Sequence, residues 1–281
     1  MSFPTIEKYY DKTRFDYRYV WNSRNTNAIH FGFYDENNTH HKAAVANMNV
    51  VLADLAQIKG GEHVLDAGCG VGGSCIWLAE NRACTSVGVS LVKRHLEDAE
   101  KNIQKLNLED KIQFLHADFC KIPLPDSSFD VVWAIESQCH AVNKIDFYRE
   151  AFRLLKKGGR LVVADYFRIE RPFSMPDDET LLKDWLIRWA INDLDTEGEH
   201  QKACEEVGFT KFNLKNVNPN VRRSLMNAYE HSAKWLSTAK VLNKIGIVSS
   251  VQVGNAHGTI CQFKAWEKGL WFYGLLSVEK A

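Results

Sequence analysis

Between residues 64 and 74 the chain reads Val-Leu-Asp-Ala-Gly-Cys-Gly-Val-Gly-Gly-Ser: an apolar run carrying one acid, then glycines at 68, 70, 72 and 73. A strand that runs into a glycine turn and directly into a helix leaves bare backbone N–H groups and a helix N-terminus where a ligand can approach closely. Two ligand patterns fit this spacing. Gly68, Gly70 and Gly73 satisfy G-x-G-x-x-G, used for dinucleotides. Asp66, Gly68, Gly70 and Gly72 satisfy D-x-G-x-G-x-G, used for S-adenosylmethionine (SAM). A second set of residues is suited to moving protons or steadying charge. Glu136 and His140 stand four apart at the end of another apolar run, and His30 precedes Phe31-Gly32-Phe33-Tyr34. Histidine titrates near neutral pH. The glutamate could act as a base, steady a developing positive charge, or simply orient a turn. For both histidines a hydrogen-bonded structural role stands beside the catalytic one.

Around these residues short β-branched runs alternate with longer amphipathic stretches, the mark of an α/β domain. The pattern predicts strands over 63–67, 85–89, 112–116, 131–135 and 160–165, with helices over about 73–81, 92–106 and 144–155. The third of these helices closes on Lys156-Lys157-Gly158-Gly159, a cation-plus-glycine stop. Beyond the fifth strand the pattern predicts helices over 180–191, 197–207, 221–245 and 253–268, and strands over 209–214 and 271–278. The division expected is an N-terminal helical lid over residues 1–60 and an α/β core over 61–281, with a helical cap inserted at about 220–268.

Lysine plus arginine and aspartate plus glutamate balance at 35 each, and 45% of the 281 residues are hydrophobic. Without a charged tail, this balance argues against nucleic acid or an anionic membrane as the dominant partner. The N-terminus lacks a signal-peptide core, and no run approaches the roughly 18 apolar residues of a spanning helix. Seven cysteines, odd in number and without a C-x-x-C pair, read as reduced thiols of a cytoplasmic protein. His40-His41 lacks partner spacing for a metal, and none is expected.

Three features choose between the two ligand patterns. About 60 residues precede the first strand, whereas a dinucleotide fold usually opens on it. The second strand ends in Ser90 rather than the acid an NAD ribose requires, with Lys93 and Arg94 leaving an NADP reading open. Asp66 is a carboxylate in an apolar strand, a natural partner for an ammonium or for the backbone N–H groups of the turn. Asp118 and Phe119 follow the third strand, where an acid can accept from an adenine amino group and a ring can lie against the base. The plain alternative for Asp118 is a turn cap.

In the order VLDAGCGVGG, GVSL, HADFCKIPLPDSSFD, AIES and LLKKGGRLVV, residues 60–170 resemble the class I SAM-dependent methyltransferases. HFGFY at 30–34, VWAIESQCHAVNK at 132–144 and GLWFYGLLSVEK at 269–280 resemble the small-molecule group of sterol, tocopherol, cyclopropane-forming and glycine/sarcosine enzymes. AIESQCHA is similar to the sterol-type AIEATCHA. Ser90 stands where many relatives carry an acid or threonine, and Val142 where the sterol pattern has proline. The resemblance implies a Rossmann-like α/β fold with a seven-stranded, mainly parallel sheet, N-terminal helices and a helical insertion before the last strand. It implies that Asp66, Gly68, Cys69 and Gly70 shape the methionine end of the SAM site. Ser90 and His95 would lie near the ribose, Asp118 and Phe119 at the adenine, and Ile135 would give backbone contact. Glu136, His140 and His30 would then stand beside the reacting methyl group.

Tyr10, Tyr19, Phe31, Trp185 and Trp189 are candidates for an apolar acceptor pocket, in which aromatic faces also attract cations. Lys12, Arg14 and Arg18 could hold an anionic group on the acceptor. The expected activity is methyl transfer from SAM to a small, largely apolar acceptor, terpenoid, sterol or lipid, with carbon favoured over oxygen or nitrogen. A phenolic or alkaloid O- or N-methyltransferase is the nearest rival. An NADP-dependent oxidoreductase and a SAM-binding scaffold without transfer are the rivals of other classes. A homo-oligomer is compatible with the sequence.

Overall fold

The computed structural model describes residues 28–281. Seven strands form one sheet in the order β3-β2-β1-β4-β5-β7-β6. They are β1 (His63–Ala67), β2 (Thr85–Ser90), β3 (Ile112–His116), β4 (Phe129–Ile135), β5 (Leu155–Arg168), β6 (Phe209–Asn216) and β7 (Trp271–Lys280). The first five pair in parallel, while β7 runs antiparallel between β5 and β6. Strand order reverses between β1 and β4. At such a reversal the crossover helices leave to opposite faces and open a crevice at the carboxyl edge.

The helices are α1 (His41–Leu55), α2 (Gly73–Asn81), α3 (Lys93–Leu106), α4 (Lys144–Leu154), α5 (Pro176–Arg188), α6 (Glu197–Val207), α7 (Asn218–Lys244) and α8 (Ser250–Glu267). Alternation along the buried strands sorts them into layers. Val64, Val131, Trp133, Val162 and Tyr166 face a core shared with α1, α5, α7 and α8. Leu65, Val132, Ala134, Leu161 and Val163 face the opposite core, built with α4 and α6. Among the described residues no helix is long and apolar enough to cross a membrane.

Two elements differ from the sequence expectation. Strand β5 runs over 155–168 rather than 160–165, because Leu155 pairs with Phe129 of β4 at its start and β7 pairs with it continuously from Arg160 to Arg168. Helix α5 begins at Pro176 rather than 180. Proline suits the first helical turn, and Asp177, Asp178 and Glu179 in that turn complement the helix dipole. The α7–α8 pair lies between β6 and β7 in the chain.

Candidate active site

At the carboxyl ends of β1, β2 and β4 lies a cavity of about 550 Å³. Its wall brings together Asp66, Gly68, Cys69, Gly70, Ser90, His95, Asp118, Phe119, Ile135, Glu136, His140 and His30. Segments far apart in sequence thus converge on one space because the parallel strands all end there.

At Gly68 the glycine turn is held by a neighbour that leaves no room for a side chain. Gly68 has φ +98°, and a Cβ on it would lie 2.3 Å from Cβ of Ser137. Ser137 Oγ donates to the Ala67 carbonyl at 2.5 Å, joining the end of β4 to that of β1. The N–H groups of Gly68 and Cys69 donate to the Val89 carbonyl at 2.9 and 3.0 Å, fixing the turn against β2. Asp66 is buried beneath it and takes a hydrogen bond from Cys75 Sγ at 3.4 Å. Burial pushes its carboxyl up to about 7. A buried carboxyl with so thin a donor set fits a ligand that brings an ammonium group. Ser90 Oγ accepts from the Val92 amide at 3.1 Å, so it also holds the turn between β2 and α3. Asp118 Oδ1 accepts from the Cys120 amide at 2.9 Å, so the turn-cap role is present on the cavity wall itself. Phe119 packs edge-on against Phe147 at 5.7 Å.

Glu136 sits at φ +48° just past β4 and is half-buried among three donors. Its Oε1 accepts from the Phe31 amide at 2.6 Å and from the Tyr273 hydroxyl at 2.9 Å, while Oε2 accepts from the Tyr166 hydroxyl. Burial pushes its carboxyl up to about 8, against the pull of those hydrogen bonds. Burial and the acid also raise both tyrosines far above their ordinary value, so they remain O–H donors.

The two histidines are neutral at physiological pH, each lowered by burial to about 4. His30 Nδ1 is 2.9 Å from the Phe31 carbonyl. A carbonyl only accepts, so this hydrogen bond assigns the proton to Nδ1 and a lone pair to Nε2. Nε2 is buried without a hydrogen-bond partner. His140 Nδ1 donates to the Ala190 carbonyl at 3.3 Å.

Three of the five expected acceptor-pocket aromatics lie off the cavity wall. Phe31 and Trp185 are fully buried and Trp189 nearly so, and none of the three lines the cavity. Phe31 packs on Tyr166 and Tyr273 at 6.0 and 5.8 Å, and Trp185 on Tyr166 and Trp271 at 5.3 and 4.9 Å. Strand parity turns Tyr166 and Tyr273 toward α5 and α8, and these rings fill the interval behind Glu136. Tyr10 and Tyr19, with Lys12, Arg14 and Arg18, lie outside the described residues.

Sequence reasoning passed over the groups that hold Glu136 and the turn after it. Tyr273 reads only as a strand residue, and Tyr166 falls just past the predicted fifth strand. Lys144 read as the start of a helix, yet its buried Nζ donates to the carbonyls of Cys139 and Ala141 at 2.8 Å and of Asp193 at 3.0 Å. Asp165 Oδ2 accepts from the Cys139 amide at 2.9 Å. An acid directly after the all-apolar run 161–164 was the one available signal. Among the described residues no cluster of three or more His, Cys, Asp or Glu side chains could hold a metal ion.

The chain matches the methyltransferase-domain family over residues 65–163. It is 28% identical over 202 residues to 27-O-demethylrifamycin SV methyltransferase of Amycolatopsis mediterranei, covering 72% of this chain and 74% of that protein. It is 32% identical over 163 residues to the sterol 24-C-methyltransferase of Saccharomyces cerevisiae, covering 58% and 41%. Apart from the rifamycin enzyme, the curated relatives are matched over about half of their own length or less. The fold is similar to that of the cyclopropane synthase MmaA2 from Mycobacterium tuberculosis, with a TM-score of 0.83 at 16% identity over 100% of this chain and 99% of that one. The matched stretch, residues 65–163, is that of a methyltransferase domain, and the curated relatives named here are methyltransferases. The acid, glycine turn and helix N-terminus on the cavity wall fit SAM as the cofactor.

Proposed function

We propose that the protein transfers a methyl group from SAM to carbon of a small, largely apolar acceptor, as a cytoplasmic enzyme of small-molecule biosynthesis. The observation that carries this reading is the pairing, on one cavity wall, of a half-buried carboxyl held by three donors with a neutral histidine whose Nε2 has no hydrogen-bond partner among the described residues. SAM, when bound, supplies an electrophilic methyl. Asp66 and the turn at 68–73 hold the donor's amino-acid end, and Asp118 and Phe119 its adenine. Adding a methyl to an alkene carbon leaves positive charge on the acceptor. Glu136, fixed by Tyr166, Tyr273 and the Phe31 amide, steadies that charge without having to reorient. His30 Nε2 accepts the proton that is lost when the alkene reforms. His140 lines the acceptor side, anchored through Ala190. The segment ahead of β1, with Ala28, Ile29 and His30 on the wall, acts as the lid, and α7–α8 as the cap.

A second reading rests on His30 alone. An acceptor nitrogen with no donor suits a hydroxyl substrate as well, which is O-methylation, and the rifamycin relative's name describes that chemistry. Incubation with SAM carrying a ¹³C-methyl and a panel of terpenoid, sterol and phenolic acceptors decides between them. The label is expected on carbon; a methoxyl carbon signal establishes the second reading. SAM binding by calorimetry with no transfer to any acceptor makes the fold a scaffold, and NADPH binding in place of SAM overturns the assignment of the donor.

A further inference from the structure

We propose that the far end of the α7–α8 hairpin is a docking surface for an anionic lipid bilayer. The hairpin leaves the sheet at its carboxyl edge. The Val217 amide donates to the Tyr273 carbonyl at 2.9 Å, and Ser224 Oγ accepts from the Gly32 amide at 2.9 Å, two residues from the cavity residue His30. Helix α7 then runs for 27 residues, about 40 Å at the rise of an α-helix. Val221, Ser224, Leu225, Ala228 and Ser232 are buried, but beyond them on this helix only Ala239 is. Helix α8 returns antiparallel to α5. Lys268 Nζ meets Asp178 at 2.6 Å at one end, and Arg188 Nε meets His257 Nδ1 at 3.0 Å at the other. Because α5 stops at Arg188, residues 245–254 and the last turns of α7 project past it. Ala190, just beyond α5, is the partner of His140 on the cavity wall, so the projection leaves from the cavity's side of the molecule.

The projecting end is apolar and basic. Val241, Ile245 and Ile247 are 61–68% exposed, and the exposed Trp235 lies nearly two helical turns back on the same helix. Val241 and Ile245 share a helix face, and Lys240 and Lys244, also four apart, run beside them. From Glu230 to Glu267 the sequence holds four lysines, at 234, 240, 244 and 264, and no acid between. The neighbouring Asp184 on α5 is paired with Arg188 at 3.2 Å. A cluster of exposed aliphatics ringed by unpaired-sign lysines matches a bilayer interface, where apolar side chains enter the acyl boundary and ammonium groups meet lipid phosphates. Two copies joined by this face would instead bring Lys240 and Lys244 of each together, with no acid between 231 and 266 to meet them. The balanced charge of the whole chain conceals this local excess.

The test is flotation of the full chain with phosphatidylcholine vesicles and with 7:3 phosphatidylcholine:phosphatidylglycerol vesicles, at low and high salt. Wild type is expected to bind the anionic vesicles at least about tenfold more tightly than the neutral ones, with the difference shrinking in salt. The double variants Ile245→Glu/Ile247→Glu and Lys240→Glu/Lys244→Glu, both at exposed positions, are each expected to lose about tenfold or more while keeping the wild-type melting temperature. Failure of wild type to float with anionic vesicles, or equal flotation of the variants, overturns the proposal. A dimer in light scattering that Ile245→Glu/Ile247→Glu splits overturns it too, by assigning the face to a second copy. SAM affinity, measured separately by calorimetry, keeps failure of the methyltransferase reading distinguishable from failure of this one.

Discussion

Glu136 is where a backbone amide and two phenols spend their hydrogen bonds on one carboxyl group. Replacing Glu136 by Gln keeps the shape and one acceptor oxygen but removes the capacity for charge. Turnover is expected to fall about 10²-fold while SAM affinity stays within about threefold. Single-turnover kinetics beside calorimetry check this, and an unchanged rate would reduce Glu136 to orienting the turn. The two cavity carboxyls also set a pH dependence. Asp66, at about 7, and Glu136, at about 8, are both raised by burial, so each is neutral at low pH and charged only as pH rises through those values. A ligand with cationic groups favours the charged forms. SAM should therefore bind more tightly from pH 6 to pH 8, by up to about tenfold per unit for each carboxyl engaged. Calorimetry across that range should show the trend, and Asp66→Asn should flatten it; equal affinity at both ends would contradict the assignment of a cationic partner to Asp66.

At the scale of elements, the junction of β1 and β4 sets the tolerance of the site. Gly68 combines φ +98° with a Cβ position 2.3 Å from Ser137 Cβ. Gly68→Ala is expected to cost about 2 kcal/mol or more of stability and to abolish SAM binding. The double change Gly68→Ala/Ser137→Gly removes the collision but not the φ strain, so it should recover only part of the melting temperature. Full recovery would show that backbone conformation is not limiting there. The parallel strands and the glycine turn were readable because each is a local pattern: an apolar run, a glycine spacing, a helix start. Tyr273 was not, since nothing local marks a tyrosine whose hydroxyl meets an acid 137 positions earlier. Trp185 and Trp189 misled for the same reason. Their apolar character fits a pocket wall and a core equally, and only the positions of Tyr166 and Trp271 decide for the core.

For the whole molecule, composition states averages, and the structure shows where they break. All seven cysteines are free thiols, and six are buried, leaving Cys120 half-buried on the cavity wall. Burial raises Cys69, Cys75, Cys139 and Cys120 above the ordinary thiol range, which slows attack through the thiolate. Native protein should therefore show at most about one slowly titrating thiol with a disulfide reagent, against seven after denaturation, and SAM should slow the reaction of Cys120. Rapid labelling of several thiols in the native protein would contradict this packing. The three-way clamp on Glu136 also orders events in time. Phe31, Glu136 and Tyr166 are all synthesised more than a hundred residues before Tyr273, whose strand must slide between β5 and β6 to deliver its hydroxyl. A chain emerging from the ribosome can thus shape the donor-binding half of its site early, yet it stays catalytically immature until translation has passed residue 273. Stalled or prematurely terminated products could then sequester SAM without spending it.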